Sequence, residues 1–106
     1  MQIREFSIVR YLESIGIYPA YKRAGQYWYI SPIRMQEKSP SFKVNDALNL
    51  WYDFGIGEGG DIVDLVRKFH PEENFLQIKQ RIEESFGISA SVSMRSFPQR
   101  LNNPIF

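Results

Sequence analysis

Apolar positions along the chain switch between helical and strand spacing. Ile8, Leu12 and Ile15 recur at i, i+4 and i+7 behind Ser7 and ahead of Gly16; this pattern predicts a short amphipathic helix with a serine N-cap and a glycine at C′. Residues 27–30, Tyr-Trp-Tyr-Ile, lie between Gly25 and Pro32 and predict a strand. Two prolines in residues 31–40 predict a loop. Residues 41–45 and 49–54 then alternate around Asn45-Asp46-Ala47, which predicts a hairpin. Four glycines between Gly55 and Gly60 permit a sharp turn from strand to helix. Asp61 then caps or charges a helix carrying Ile62, Leu65, Val66 and Phe69 on one face. Pro71, Glu72 and Glu73 open a third helix with a stripe of Phe75, Ile78, Ile82 and Phe86, ended by Gly87. The expected fold class is therefore α+β: a small antiparallel three-stranded sheet flanked by about three helices. Residues 88–106, rich in Ser and Asn with two prolines and no periodicity, predict a linker or loosely ordered tail after a domain at 1–87.

Side chains alternate across a strand, so Phe42 and Val44 share one face, as do Leu50, Tyr52 and Phe54 in the next strand. These are the expected core faces. The opposite faces present Lys43 with Asn49, Trp51 and Asp53, joined from the first strand by either Tyr27 and Tyr29 or Trp28. An aromatic beside a lysine suits single-stranded nucleic acid: a base stacking on the ring contributes about 1–3 kcal/mol while the cation holds phosphate. Each such aromatic has a plainer reading as packing against the helices.

A content of 43% hydrophobic and 15% aromatic residues marks a globular chain. No stretch approaches a membrane span, and the N-terminus lacks an apolar signal region, so the cytoplasm is the expected location. With no cysteine there is neither a disulfide framework nor a thiolate metal site. Net charge is only +1, yet its distribution is uneven. Lys22, Arg23, Arg34, Lys38 and Lys43 face Glu37 alone within residues 20–44, whereas residues 45–66 hold acids and no base. A local basic surface is compatible with that average. Glu58, Asp61 and Asp64 near a helix start read as caps rather than catalytic acids. His70 has no nucleophile or thiol beside it. The glycine run lacks the Lys-Ser/Thr of a phosphate loop.

Two blocks carry a family resemblance. The first is Tyr-Ile-Ser-Pro-Ile-Arg followed by Glu-Lys-Ser-Pro-Ser-Phe-Lys-Val, and the second is Trp-Tyr-Asp-Phe-Gly-Ile-Gly-Glu-Gly-Gly-Asp-Ile-Val-Asp. Together they resemble the Cys-His-Cys-Cys zinc-ribbon domain at the N-terminus of bacterial replicative primases. In that family the pattern reads Cys-Pro-x-His, Glu-Lys-Thr/Ser-Pro-Ser-Phe-x-Val and Cys-Phe-Gly-Cys-Gly-x-Gly-Gly-Asp. Pro32, Glu37, Lys38, Ser39, Pro40, Ser41, Phe42, Val44, Phe54, Gly55, Gly57, Gly59, Gly60 and Asp61 match it. The likeness runs over roughly residues 7–70. The four ligand positions hold Ser31, Arg34, Asp53 and Ile56, with neither a thiolate nor an imidazole among them, so no zinc and no other cofactor is expected.

A structural zinc contributes on the order of 10 kcal/mol of folding free energy in small zinc peptides, so its loss calls for compensation. The expectation is an ion pair between Arg34 and Asp53 across the vacated site, with Ile56 filling it. The resemblance also implies that the sheet contacts template DNA and that this module precedes a catalytic Toprim domain, whose acidic motifs are missing here. The expected function is a non-catalytic single-stranded DNA-binding module of a primase-like protein of a plasmid or other mobile element. Its expected contacts are Lys22, Arg23, Tyr27, Trp28, Tyr29, Arg34, Lys38, Lys43 and Trp51. The alternative is a domain docking replication or mobilisation proteins, having lost DNA binding along with zinc.

Overall fold

The computed structural model describes residues 2–34 and 38–87; the expected tail at 88–106 lies outside them. A short 3-10 turn (Ile3–Glu5) precedes α1 (Ile8–Ser14). Five strands follow, β1 (Tyr21–Arg23), β2 (Gln26–Ile30), β3 (Pro40–Asn45), β4 (Leu50–Asp53) and β5 (Glu58–Gly60), then α2 (Ile62–Phe69) and α3 (Phe75–Ser85). The strands form one antiparallel sheet in sequence order. The α+β class stands, but among the described residues the sheet has five strands rather than three. β1 closes onto β2 through Ala24 and Gly25, both at positive φ (52° and 78°). That is the type I′ pattern that matches strand twist, reached here with an alanine that gives little warning of it. β5 emerges from the glycine run itself. A Cβ on Gly59 would collide with the Trp51 carbonyl of the neighbouring strand, so this glycine serves close pairing, whereas Gly57, at φ 70°, makes the turn.

The helix ends follow local chemistry. The Ser7 Oγ accepts from the Arg10 amide at 3.2 Å, and Gly16 adopts φ 83°. Asp61 and Asp64 exchange side-chain-to-backbone hydrogen bonds as a capping box, which orients α2. The third helix starts later than Pro71–Glu73, because Asn74 and Gln77 form a second capping box. Ile15 and Phe75, expected in apolar stripes, lie at helix ends and are largely exposed.

One face of the sheet packs against the helices, and the core lies between these two layers. Tyr29, Phe42, Val44 and Trp51 project from the sheet, while Ile8, Leu12, Ile62, Leu65, Val66, Ile78 and Ile82 come from the helices. Phe42 stacks on Trp51 at 5.4 Å, and Tyr29 meets Phe42 edge-on at 5.9 Å. The Trp51 Nε1 donates to the Asp61 carbonyl at 2.8 Å, joining sheet to α2.

The alternation of β4 is the reverse of expectation. Val44 stands opposite Trp51 and Lys43 opposite Tyr52, so Trp51 and Asp53 face inward while Leu50, Tyr52 and Phe54 face outward. A slip of one residue exchanges both faces of a strand. The register is set at Asn49, held at φ 56°. Its side chain accepts from the Ile8 amide and donates to the Arg4 and Phe6 carbonyls, tying the hairpin to the N-terminal segment. Trp51 and Tyr29 are therefore core residues and not surface contacts.

The Tyr29 hydroxyl is buried without a hydrogen-bond partner among the described residues, and burial drives its pKa far upward. An unpaired buried hydroxyl costs about 1–3 kcal/mol. Tyr29→Phe should therefore leave the melting temperature unchanged or raise it, as read by thermal circular dichroism.

Candidate nucleic-acid interface and replaced metal site

Asp53 is fully buried, and its carboxylate is met by donors from two segments. The Ser31 hydroxyl donates to Oδ2 at 2.7 Å and the Arg34 Nε to the same oxygen at 3.1 Å. The Arg34 Nη2 lies 3.1 Å from Oδ1. The Gly55 and Ile56 amides close over Oδ1 at 2.8 and 3.3 Å. Arg34 also donates to the Ser41 hydroxyl. All four positions that correspond to metal ligands thus converge, three through side chains and Ile56 through its backbone. The Arg34–Asp53 pair has the expected form. Ile56 does not fill the site: the residue is 42% exposed, and the turn at Gly57 directs its amide, rather than its side chain, to the carboxylate. A Cβ on Gly55 would collide with the Arg34 guanidinium, so only glycine lets the guanidinium lie against this turn.

This donor set does not fit zinc, which takes thiolate, imidazole or carboxylate ligands. A guanidinium and an aliphatic side chain offer it nothing, and the single carboxylate is already saturated. Burial pushes the Asp53 pKa up, but the hydrogen bonds from Ser31, Arg34 and Gly55 and the Arg34 charge outweigh it, and the pKa falls below the usual range.

The opposite face of the sheet is not covered by any described element. Tyr21, Trp28, Lys43 and Tyr52 stand in one row, directly paired across β1 to β4. Trp28 stacks between Tyr21 at 6.1 Å and Phe54 at 5.8 Å, Tyr52 meets Phe54 edge-on at 4.8 Å, and the Lys43 ammonium sits 5.6 Å above the Phe54 ring. By alternation Arg23, Gln26, Ile30, Asn45 and Leu50 share this face. Among the described residues its strands carry two cations, Arg23 and Lys43, and no carboxylate on this face.

Of the expected contacts, Trp28, Lys43 and Arg23 lie here. Lys22 and Tyr27 lie on the reverse side, where the Lys22 ammonium caps the Tyr27 ring at 4.9 Å. Arg34 is engaged with Asp53, Lys38 is exposed in the loop before β3, and Tyr29 and Trp51 are in the core. Tyr21, Tyr52 and Phe54 escaped sequence reasoning. Knowing that Asp53 faces inward would have exposed the last two, by alternation.

A five-stranded ribbon backed by three helices, with an ion pair at the metal position, defines a zinc-ribbon-type module that holds itself together without thiolates. The family model described as the CHC2 zinc finger matches residues 5–97, and the chain belongs to that family. A DNA primase of Lactococcus lactis subsp. lactis (strain IL1403) is 28% identical over 102 residues, covering 94% of this chain and 16% of that protein. The crystal structure of the Aquifex aeolicus primase, described as its zinc-binding and RNA polymerase domains, aligns with a TM-score of 0.59 at 21% identity, over 91% of this chain and 24% of that one. The latter likeness is one of fold. This chain therefore spans a small part of the primases it matches, and it is of the primase zinc-ribbon type without cysteine.

Removing one partner of a buried ion pair costs about 3–5 kcal/mol. Arg34→Ala should lower the melting temperature by roughly 10–20 °C; an unchanged value would show that the pair does not hold the fold. Because the folded pKa of Asp53 is depressed, its contribution to stability is fully present above the unfolded value near 4 and is lost as pH falls through the folded value. Urea midpoints followed downward from pH 5 should fall more steeply in the wild type than in Asp53→Asn.

Proposed function

We propose that this chain is a non-catalytic module that binds single-stranded DNA on its open sheet face, within a primase-like protein acting in DNA replication or mobilisation. The observation that carries this reading is the row Tyr21, Trp28, Lys43 and Tyr52, extended by Phe54 and flanked by Arg23, on a face with no carboxylate among the described residues. Aromatic rings supply stacking platforms and the two cations supply phosphate contacts, the combination that holds single strands without reading their sequence. Membership of the CHC2 family and the primase relatives support a DNA-related role. The acids near the glycine run are occupied structurally: Asp53 neutralises Arg34, and Asp61 and Asp64 cap α2. That supports assigning catalysis to a domain other than this one.

The exposed Ile30 and Leu50 beside the aromatic row favour a second reading, a protein-docking face. Titration with a single-stranded oligonucleotide separates the two. Trp51 is buried, so Trp28 is the reporter, and its fluorescence should change on binding. Two phosphate contacts predict a log-log salt slope of about −1.4, from about −0.7 per contact. Trp28→Ala, Tyr52→Ala and Lys43→Ala should each weaken binding, while Lys22→Ala should do so little. Absence of binding even at low salt would overturn the DNA reading in favour of a protein partner.

A further inference from the structure

The open face is not uniform. At its β1–β2 end lies a cleft of about 260 Å³ lined by Tyr21, Arg23, Ala24, Gln26, Trp28 and Lys43. Both cations of the face meet two of its aromatic rings there. The volume falls below that of pockets for drug-sized ligands and suits one ring system rather than a folded peptide segment. Gln26 distinguishes the cleft further. Its Oε1 is buried and has no hydrogen-bond partner among the described residues. An unsatisfied buried acceptor is unfavourable until a donor reaches it, and a carboxamide offers an acceptor and a donor side by side.

We propose that this cleft receives a single nucleobase of the bound strand, with the Gln26 carboxamide turning out of its unpaired buried position to hydrogen-bond the base's polar edge and Arg23 and Lys43 holding the adjoining phosphates. Every base presents a donor next to an acceptor on that edge, so the contact distinguishes a base from an abasic sugar without selecting among the four. The proposal rests on the single-stranded DNA reading of the face and adds to it a place where a base inserts and is recognised by its edge. The base there is held by more than stacking.

The test uses the full chain and fluorescence anisotropy with two end-labelled probes of equal length. One is an oligothymidylate of about eight residues, within the usual footprint of single-strand binders, and the other is the corresponding abasic phosphodiester. The wild type should prefer the oligothymidylate. Gln26→Met should reduce that preference about three- to tenfold, the scale of one hydrogen bond, while leaving abasic-strand affinity and melting temperature unchanged or the latter raised. Arg23→Ala should weaken both probes and flatten the salt slope. Loss of affinity for both probes in Gln26→Met would make the residue structural and overturn the proposal. So would unaltered binding by Gln26→Met while Trp28→Ala still impairs it, and in that case the DNA reading would survive. Failure of the wild type to bind either probe would remove the DNA reading itself, and the cleft assignment with it.

Discussion

A carboxylate excluded from water sets the arrangement of this fold. Asp53 has no exposed surface, and a buried charge is tolerated only when its partners are complete. Those partners come from the Ser31–Arg34 loop after β2 and from the Gly55–Ile56 turn after β4. The carboxylate thereby joins two segments far apart in sequence and fixes the direction in which β4 presents its side chains. With Asp53 inward, alternation sends Trp51 inward and Tyr52 outward. The same anchor therefore decides the composition of both the core and the open face.

A zinc ion would hold these four chain positions through coordination. The guanidinium performs a similar cross-link with a different energetic balance. Desolvating two charges is costly, and the hydrogen-bonded geometry recovers that cost only if every donor and acceptor is used. The Arg34 fork suits this, reaching both Asp53 oxygens and Ser41 in the planar geometry that a lysine lacks. It also explains a glycine. Gly55 matches the primase pattern, and here it gives a planar cation room to lie against the turn.

The helices cover only one side of the sheet. They bury the face bearing Phe42, Val44 and Trp51, and the row of Tyr21, Trp28, Lys43 and Tyr52 is left uncovered by any described element. Rings stacked on one another across strands are already held in place in the free protein. The Lys43 ammonium above Phe54 is placed by the same packing. The residues on this face differ from those that the strand pattern first suggested.

Much of the architecture was legible in the residues. The capping residues Ser7 and Asp61, the terminating glycine at 16, the hairpin at Asp46 and the stripes of α2 and α3 all follow from local steric and hydrogen-bonding rules, which act over a few residues. The primase motif blocks announced the family, and the pairing of Arg34 with Asp53 followed from the positions they occupy in those blocks. Strand register was not legible, because both faces of β4 carry aromatics and a period of two does not say which is inside. The choice depended on Asn49 reaching residues more than forty positions away, and on donors that make a buried aspartate acceptable. Sequence by itself determined the elements and the family; tertiary structure decided which side of the sheet met water, because burying a charge depends on partners that only the folded chain brings together.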